Sequence, residues 1–196
     1  MQPNQTPTDE SLMAQVTGGD LRKLALLFER YHRPLFNFFL HMTGRRELSE
    51  DLVQEVFFRI LRYRHTYDGA RRFSPWMYQI ARNLNNEKLQ ERRTELRFVP
   101  EPTRDEETAP WEPASPAPLA DETLRRTQET QLLQKALHRL PPEKREVLVL
   151  SRFQNLSYAE IARVLGCEEG NVKVRVFRAV RALGQIYSEL SGEKVS

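Results

Sequence analysis

A proline-rich, acidic segment near the middle of the chain constrains the fold more than any other feature of the sequence. Six prolines lie between residues 99 and 119, among several acids and almost no aliphatic side chains. Proline fixes φ and removes a backbone donor, so neither a helix nor a central strand can run through this stretch. We therefore expect an extended linker over residues 99–122, which joins a domain at 1–98 to a second domain at 123–196.

The charge changes sign along the chain, although the net charge is only +3. Residues 62–97 carry nine Lys or Arg against four Asp or Glu, and residues 132–187 carry ten against five. Residues 98–122 carry one against seven. Two basic blocks on either side of an acidic connector indicate two separate contact surfaces for nucleic acid.

The composition argues against several classes of protein. No apolar run approaches the length of a membrane span and the N-terminus lacks a signal sequence, so we expect a cytoplasmic protein without membrane insertion. Cys167 is the only cysteine and the four histidines are scattered. This pattern predicts no disulfide, metal site or cofactor. No catalytic constellation or phosphate-binding glycine loop is visible, so we expect no catalytic residues and no enzyme activity.

Helical spacing of apolar residues dominates the chain, and strand-like alternation is missing, which predicts an all-α fold. Upstream of the linker we predict a short helix at Asp9–Thr17, a long helix capped by Asp20, a third helix, and a fourth with Ser74 as its N-cap. Downstream of the linker, two shorter helices are predicted at residues 124–140 and 143–153.

The stretch that follows these helices has the spacing of a helix-turn-helix. Ser157 and Glu160 form a capping box, which sets the start of the first helix. Ala162 is small enough for a second helix to pass close by, and Gly166 can adopt the left-handed conformation of a tight turn. Val172 is predicted to fill the angle between the helices. The motif predicts duplex-DNA binding.

The second helix of the motif presents a basic face with apolar members. Lysine and arginine reach guanine acceptors or phosphates, whereas valine and phenylalanine can contact thymine methyls. A solvated basic face is the alternative, but the turn upstream favours DNA binding. The face comprises Asn171, Lys173, Val174, Arg175, Phe177, Arg178 and Arg181.

Two segments in the first half point beyond a generic DNA-binding protein. The segment DLVQEVFFRI starts at Asp51. Helical spacing places Asp51, Gln54 and Glu55 on one side of a helix. FSPWMYQIARN, at residues 73–83, crowds aromatic, amide and basic side chains onto one helix. This composition suits binding of single-stranded DNA by stacking and phosphate contact.

Together with LPPEKREVLVL and LSYAEIARVLG further along, these segments resemble the extracytoplasmic-function (ECF) sigma factors along nearly the whole chain. The resemblance implies two helical domains, the second with a helix-turn-helix. It also implies a subunit that binds core RNA polymerase, reads the −35 element of promoter DNA as duplex and melts the −10 element. An anti-sigma factor is a further implied partner.

The resemblance also implies roles for individual residues. Asp51, Gln54 and Glu55 would dock on the clamp helices of the β′ subunit, and the C-terminal domain would lean on the β flap. The loop at residues 65–73 would capture a flipped base. The −10 element would be contacted by Arg82, Asn83, Asn86 and Lys88. The −35 element would be contacted by Asn171, Lys173, Val174, Arg175, Phe177 and Arg178. Asn171 and Val174 depart from the family pattern, so no promoter sequence can be transferred from a relative.

Two alternatives remain open at this point. A conventional DNA-binding regulator would explain residues 132–190 equally well but leaves the DLVQEVF segment without a purpose. Such a regulator would dimerise and bind duplex DNA tightly by itself, whereas a small sigma factor would be monomeric and bind weakly without polymerase. An enzyme acting on nucleic acid is the second alternative, and it lacks a catalytic constellation.

Overall fold

The computed structural model describes residues 7–98, 120–154 and 156–192, and these residues are almost entirely helical. One 3-10 turn, at Arg64–Thr66, lies between the third and fourth helices. The helices are α1 (Asp9–Thr17), α2 (Lys23–Thr43), α3 (Arg46–Tyr63), α4 (Phe73–Phe98), α5 (Ala120–Arg139), α6 (Pro142–Phe153), α7 (Tyr158–Leu165) and α8 (Glu169–Ser191). The described ranges contain no strand, so the predicted all-α class is confirmed.

Helices α1 to α4 form the N-terminal domain around a core rich in aromatic rings. Phe38 packs edge-on against Phe39 and Tyr78, with ring centroids 5.2 and 5.7 Å apart. All three rings are buried. An aromatic side chain buries about 150–250 Å² and has preferred packing angles, so this cluster fixes α2 against α4.

Two helix starts differ from the sequence prediction. Asp20 does not cap α2, because its carboxylate accepts a hydrogen bond of 2.9 Å from Arg22 Nε instead. Helix α4 begins at Phe73, one residue before Ser74. The N–H of Phe73 donates to the carboxylate of Glu10 at 3.1 Å. A side chain of α1 therefore satisfies a donor that the sequence assigned to a local cap.

Helices α5 to α8 form the C-terminal domain, in which α8 packs against α5, α6 and α7. Each helix turns one apolar stripe inward, and the side chains of these stripes form an aliphatic core. The buried side chains include Leu137, Leu140, Val147, Leu148, Ile161, Val164, Val172 and Val176.

The two domains pack directly against each other. Arg145 in α6 donates to the main-chain carbonyl of Met42 at the end of α2, at 2.7 Å, and to that of Leu137 in α5, at 3.0 Å. Gly44 ends α2 with φ +73, and a Cβ built there would lie 2.8 Å from His138 Cε1. The C-terminal domain is therefore folded back onto the end of α2.

Most of the predicted linker falls outside the described residues, which resume at Ala120. Helix α5 also begins at Ala120, so the last three residues of the predicted 99–122 segment are helical. The linker and the domain boundaries drawn from the prolines stay predictions.

Candidate nucleic-acid interface

The helix-turn-helix begins with the capping box that the sequence predicts. Ser157 Oγ accepts a hydrogen bond of 3.3 Å from the N–H of Glu160. The Glu160 carboxylate accepts in return from the N–H and the hydroxyl of Ser157, both at 2.8 Å. Two donors that would otherwise lack partners are satisfied at once, so the start of α7 is fixed.

The turn between the two helices is tight and well packed. Gly166 has φ +65, the left-handed conformation that favours glycine. The N–H of Cys167 donates to the Ala162 carbonyl at 2.9 Å, which closes the end of α7. Val172, at the start of α8, is fully buried. The three offsets that defined the motif in the sequence are confirmed.

The outer face of α8 is open to solvent. Val172, Val176 and Ala179 are buried against the domain, which directs the opposite face outward. Val174 is 47% exposed and Phe177 67% exposed. All six predicted −35 contacts are exposed, namely Asn171, Lys173, Val174, Arg175, Phe177 and Arg178. Apolar groups beside cationic ones match a surface that carries thymine methyls and phosphates.

The four residues predicted to contact the −10 element do not share one exposed face. Asn83 and Lys88 are exposed on α4, whereas Asn86 is half-buried. Arg82 points toward the C-terminal domain, where its Nε donates to Glu146 Oε1 at 3.0 Å. The structure therefore separates Arg82 from Asn83, which points to solvent.

The loop before α4 makes a second contact with the C-terminal domain. Arg72 Nη1 donates to Glu160 Oε1 at 2.7 Å, so the capping carboxylate of α7 also binds this loop. Nearby, the hydroxyl of Tyr78 donates to the side-chain oxygen of Gln154. The loop itself is closed by a hydrogen bond of 2.6 Å from the Tyr67 hydroxyl to a main-chain carbonyl.

The two carboxylates in these contacts have opposite pKa shifts. Burial raises the pKa of Glu146 above its usual value, although the guanidinium of Arg82 opposes the shift. Burial would also raise the pKa of Glu160, but hydrogen bonds from Ser157 and the charge of Arg72 outweigh it and hold that pKa below its usual value. The Glu160 carboxylate therefore stays ionised throughout the neutral range, whereas the Glu146 carboxylate is the more easily protonated of the two.

Sequence reasoning missed Glu146, Gln154 and the second role of Glu160. The one signal in the sequence is that Glu146 directly precedes the apolar run from Val147 to Leu150. An acid next to a buried apolar stripe needs a basic partner, but the sequence does not show which basic side chain it pairs with.

The predicted polymerase-binding residues lie along α3. Asp51 and Gln54 are exposed. Glu55 is half-buried and accepts a hydrogen bond of 2.8 Å from Arg59. Phe58, four residues after Gln54, is 59% exposed and was not predicted as a site residue. An apolar ring on an otherwise polar helix face was the signal available in the sequence.

Within the described residues, no group of three or more His, Cys, Asp or Glu side chains is placed to hold a metal ion. Over the same part of the chain, every helix is too short or too polar to cross a bilayer.

Comparison with protein families assigns both halves of the chain. Residues 27–94 match Sigma-70 region 2, and residues 130–183 match Sigma-70 region 4. The RNA polymerase sigma factor CarQ of Myxococcus xanthus is 34% identical over 168 residues, which cover 85% of this chain and 90% of CarQ. The chain belongs to the ECF sigma factors. As a sigma factor, it regulates transcription by directing RNA polymerase to specific promoters.

Other sigma factors extend the comparison. The ECF RNA polymerase sigma factor BldN of Streptomyces coelicolor is 31% identical over 184 residues, which cover 89% of this sigma factor and 64% of BldN. The solved structure of RpoE from Bartonella quintana, in complex with the anti-sigma factor NepR, has a TM-score of 0.68 and 23% identity. That match covers 83% of this sigma factor and 94% of RpoE, so the two proteins share a fold.

Proposed function

We propose that this sigma factor reads the −35 element as intact duplex with α8 and opens the −10 element with α4, while α3 holds it on core RNA polymerase. One observation carries the proposal: the six predicted −35 contacts are all exposed on α8, while the opposite side of that helix is buried. A helix buried on one side and basic on the other can enter the major groove without unfolding its domain.

Within the major groove, the residues of α8 have different tasks. Lys173, Arg175 and Arg178 neutralise phosphates or reach guanine acceptors, which supplies affinity that falls with salt. Val174 and Phe177 bury apolar surface against thymine methyls. Asn171 lies in the first turn of α8, where its amide can donate and accept on a base edge.

The N-terminal domain acts on single-stranded DNA. Asn83 and Lys88 are exposed on α4 and serve as contacts for an extruded base and its phosphate. Extruding a base costs a few kcal/mol of stacking, which a protein pocket must return. The loop at residues 65–73 supplies that pocket, and Arg82 and Asn86 complete the surface.

The outer face of α3 is the polymerase-binding surface. Asp51 and Gln54 complement the basic clamp helices of β′ that the family resemblance implies. Phe58 extends this face as an exposed aromatic group, the kind of residue that anchors protein interfaces. Glu55 contributes through its pairing with Arg59, which orders the middle of the helix. The C-terminal domain contacts the β flap.

An anti-sigma factor is the second protein partner that we propose, because a relative of the same fold is known in complex with one. A groove of about 460 Å³ lies between α2, α5, α6 and α8. Leu133, Phe153 and Val180 line it and are 41%, 46% and 44% exposed. Such a groove fits the apolar face of an amphipathic helix, which we assign to the anti-sigma factor. The protein works in the cytoplasm beside the polymerase and has no catalytic residue of its own.

Reconstitution with bacterial core polymerase and a promoter library tests the proposal. We expect core-dependent transcripts, with Lys173→Ala and Arg178→Ala altering preference near −35 and Asn83→Ala weakening opening near −10. Asp51→Ala should reduce affinity for the core. Lys135→Ala, on the exposed side of α5, is the matched control and should leave all three properties unchanged. The absence of core-dependent transcripts would contradict the proposal.

A further inference from the structure

Two side chains of α1 contact the two ends of the loop at residues 65–73. The carboxylate of Glu10 accepts a hydrogen bond of 3.1 Å from the N–H of Phe73, where the loop ends. The hydroxyl of Thr17 lies 3.2 Å from the main-chain carbonyl of Arg64, just before the loop begins. Helix α1 therefore holds the loop both where it starts and where it ends.

The two contacts differ in strength. Glu10 offers a carboxylate to a main-chain donor, and hydrogen bonds to charged groups are the stronger kind. The Thr17 hydroxyl has one hydrogen, and it shares that hydrogen with the carbonyl of Met13 in its own helix, at 3.0 Å. Glu10 is therefore the main attachment of the loop, and Thr17 is the weaker one.

Helix α1 also sets the distance between the ends of the loop. Glu10 and Thr17 lie two turns apart on one side of the helix, with an axial separation of about 10 Å. The chain from Arg64 to Phe73 would span about 30 Å if it were fully extended. The loop is therefore held closed, in the manner of compact surface loops that pack their own side chains.

The closed loop is filled by Tyr67. Its ring is 9% exposed and packs on Phe73 and Trp76, with ring centroids 6.1 and 5.2 Å apart. Its hydroxyl donates to the carbonyl of Arg71 at 2.6 Å. Burial and, to a lesser extent, the charge of Glu10 raise the pKa of Tyr67 to about 12, so the hydroxyl keeps its proton and remains a donor.

The tip of the loop is exposed and ordered by Asp68. The Asp68 carboxylate accepts from the N–H of Ala70 at 3.0 Å and pairs with Arg71 at 3.0 Å. Asp68, Gly69 and Ala70 are all exposed. An extruded base is recognised by hydrogen bonds to its edge, so the tip can discriminate among bases only while its polar groups keep fixed positions.

We infer that Glu10 and Thr17 are positioning residues for the capture of the flipped base: by fixing both ends of the loop, α1 sets base selectivity at the −10 element without contacting DNA. The inference rests on the proposed function of the loop. A second connection supports it, because Asp9 of α1 accepts a hydrogen bond from the Tyr31 hydroxyl. The Tyr31 ring packs edge-on against Phe73, with centroids 5.4 Å apart.

Holoenzymes reconstituted from core polymerase and full-length variants test the inference. Transcription from a promoter library with a randomised −10 element gives the ratio of the best to the second-best base at each position. At the captured position we expect Glu10→Ala to lower this ratio about tenfold, because a loop with one free end accepts several bases. Thr17→Val should lower it about threefold. Glu10→Gln keeps an acceptor for the N–H of Phe73 and should retain most of the selectivity.

A spectroscopic measurement follows the capture itself. The fluorescence of 2-aminopurine, placed next to the captured position, rises when the neighbouring base leaves the stack. Glu10→Ala should reduce this rise on the preferred promoter, whereas preference near −35 and affinity for the core should stay at wild-type values. Gln15→Ala is the matched control, because Gln15 is exposed on α1 and its amide donates to Ser11 of the same helix. It should change none of these quantities.

Asp68→Ala tests the loop independently of α1, since the substitution lies in the exposed tip. An unchanged −10 preference in this variant would contradict the proposed function of the loop. A changed preference in Asp68→Ala together with a wild-type preference in Glu10→Ala would leave that function standing and overturn the inference alone.

One further result would overturn the inference. It is a loss of transcription in Glu10→Ala that is equal for every −10 base, because Glu10 would then act on stability and not on base selection. Circular dichroism checks that each variant keeps its helices. Thr17→Val preserves the shape of the side chain, so it decides by the same criteria if Glu10→Ala does not fold.

Discussion

Arg59 in α3 and Glu87 in α4 are joined by two hydrogen bonds, of 2.9 and 2.6 Å. The hydrogen bonds from Arg59 hold the pKa of Glu87 below its usual value, and those to Glu87 and Glu55 raise the pKa of Arg59. This pair ties the helix proposed to bind polymerase to the helix proposed to open DNA.

A double-mutant cycle with Arg59→Ala and Glu87→Ala should give a coupling energy of about 1 kcal/mol in the free energy of unfolding. The value is modest because the Glu87 side chain is 47% exposed and solvent screens the pair. The pair of Lys88 and Glu91, within α4, is the control and should couple by about 0.3 kcal/mol. A coupling energy near zero for Arg59 and Glu87 would show that the link between α3 and α4 does not stabilise the fold.

Replacing Phe177 separates DNA binding from folding. The ring is 67% exposed, so Phe177→Ala should change the free energy of unfolding by less than about 0.5 kcal/mol. Promoter affinity of the holoenzyme should fall about tenfold, because the ring loses its apolar contact in the major groove. Chemical denaturation and filter binding measure the two quantities. Unchanged promoter affinity would exclude Phe177 from the −35 contact.

His41 makes the packing of the domains sensitive to acid. Its ring lies 4.3 Å from that of Phe153, and burial together with the nearby His138 lowers its pKa to about 4. The unfolded state binds the proton first, since an ordinary histidine has a pKa near 6.5, so stability is lost as the pH falls below that value. Burial also lowers the pKa of His138, which adds to the effect.

We expect the free energy of unfolding to fall by about 2 kcal/mol between pH 7 and pH 5 from His41 alone. Urea denaturation at both pH values checks this, with His41→Phe as the variant that should flatten the dependence. Asn37→Ala is the control, because Asn37 lines the same groove as His41 but carries no titratable group, so the substitution should leave the slope as it is. An identical slope in all three proteins would rule out the buried histidine as the cause.

The buried amide of Asn85 offers a stability test within α4. Because neither polar atom has a partner, Asn85→Leu should raise the free energy of unfolding by about 1 kcal/mol. Asn83→Leu, on the exposed side of the same helix, should change it by less than about 0.5 kcal/mol. Thermal and urea denaturation of both variants provide the comparison. A loss of stability for Asn85→Leu would mean that the amide does have a partner in solution.

The sequence predicted the features that depend on neighbouring residues. The capping box of Ser157 and Glu160, the left-handed turn at Gly166 and the buried Val172 all follow from local spacing, and the structure has each of them. The exposed face of α8 followed from the same helical period. Such features are accessible because a few residues carry both the cause and the result.

Features that join distant segments could not be predicted. Arg82 and Glu146 are 64 residues apart, and Arg72 and Glu160 are 88 apart, so no periodicity relates them. The predicted start of α4 differs from the observed one for the same reason, because the N–H of Phe73 donates to Glu10 of another helix. The sequence located the basic surface of α4 but not the acids that cover it.

Gly44 gives the molecule a place where its two halves can be separated without changing any charge. A side chain there would meet the ring of His138, and the backbone already has a conformation that disfavours one. A larger residue at this position would act as a steric wedge between α2 and α5. A substitution at this one helix end would therefore weaken the packing of the two domains and leave their charges unchanged.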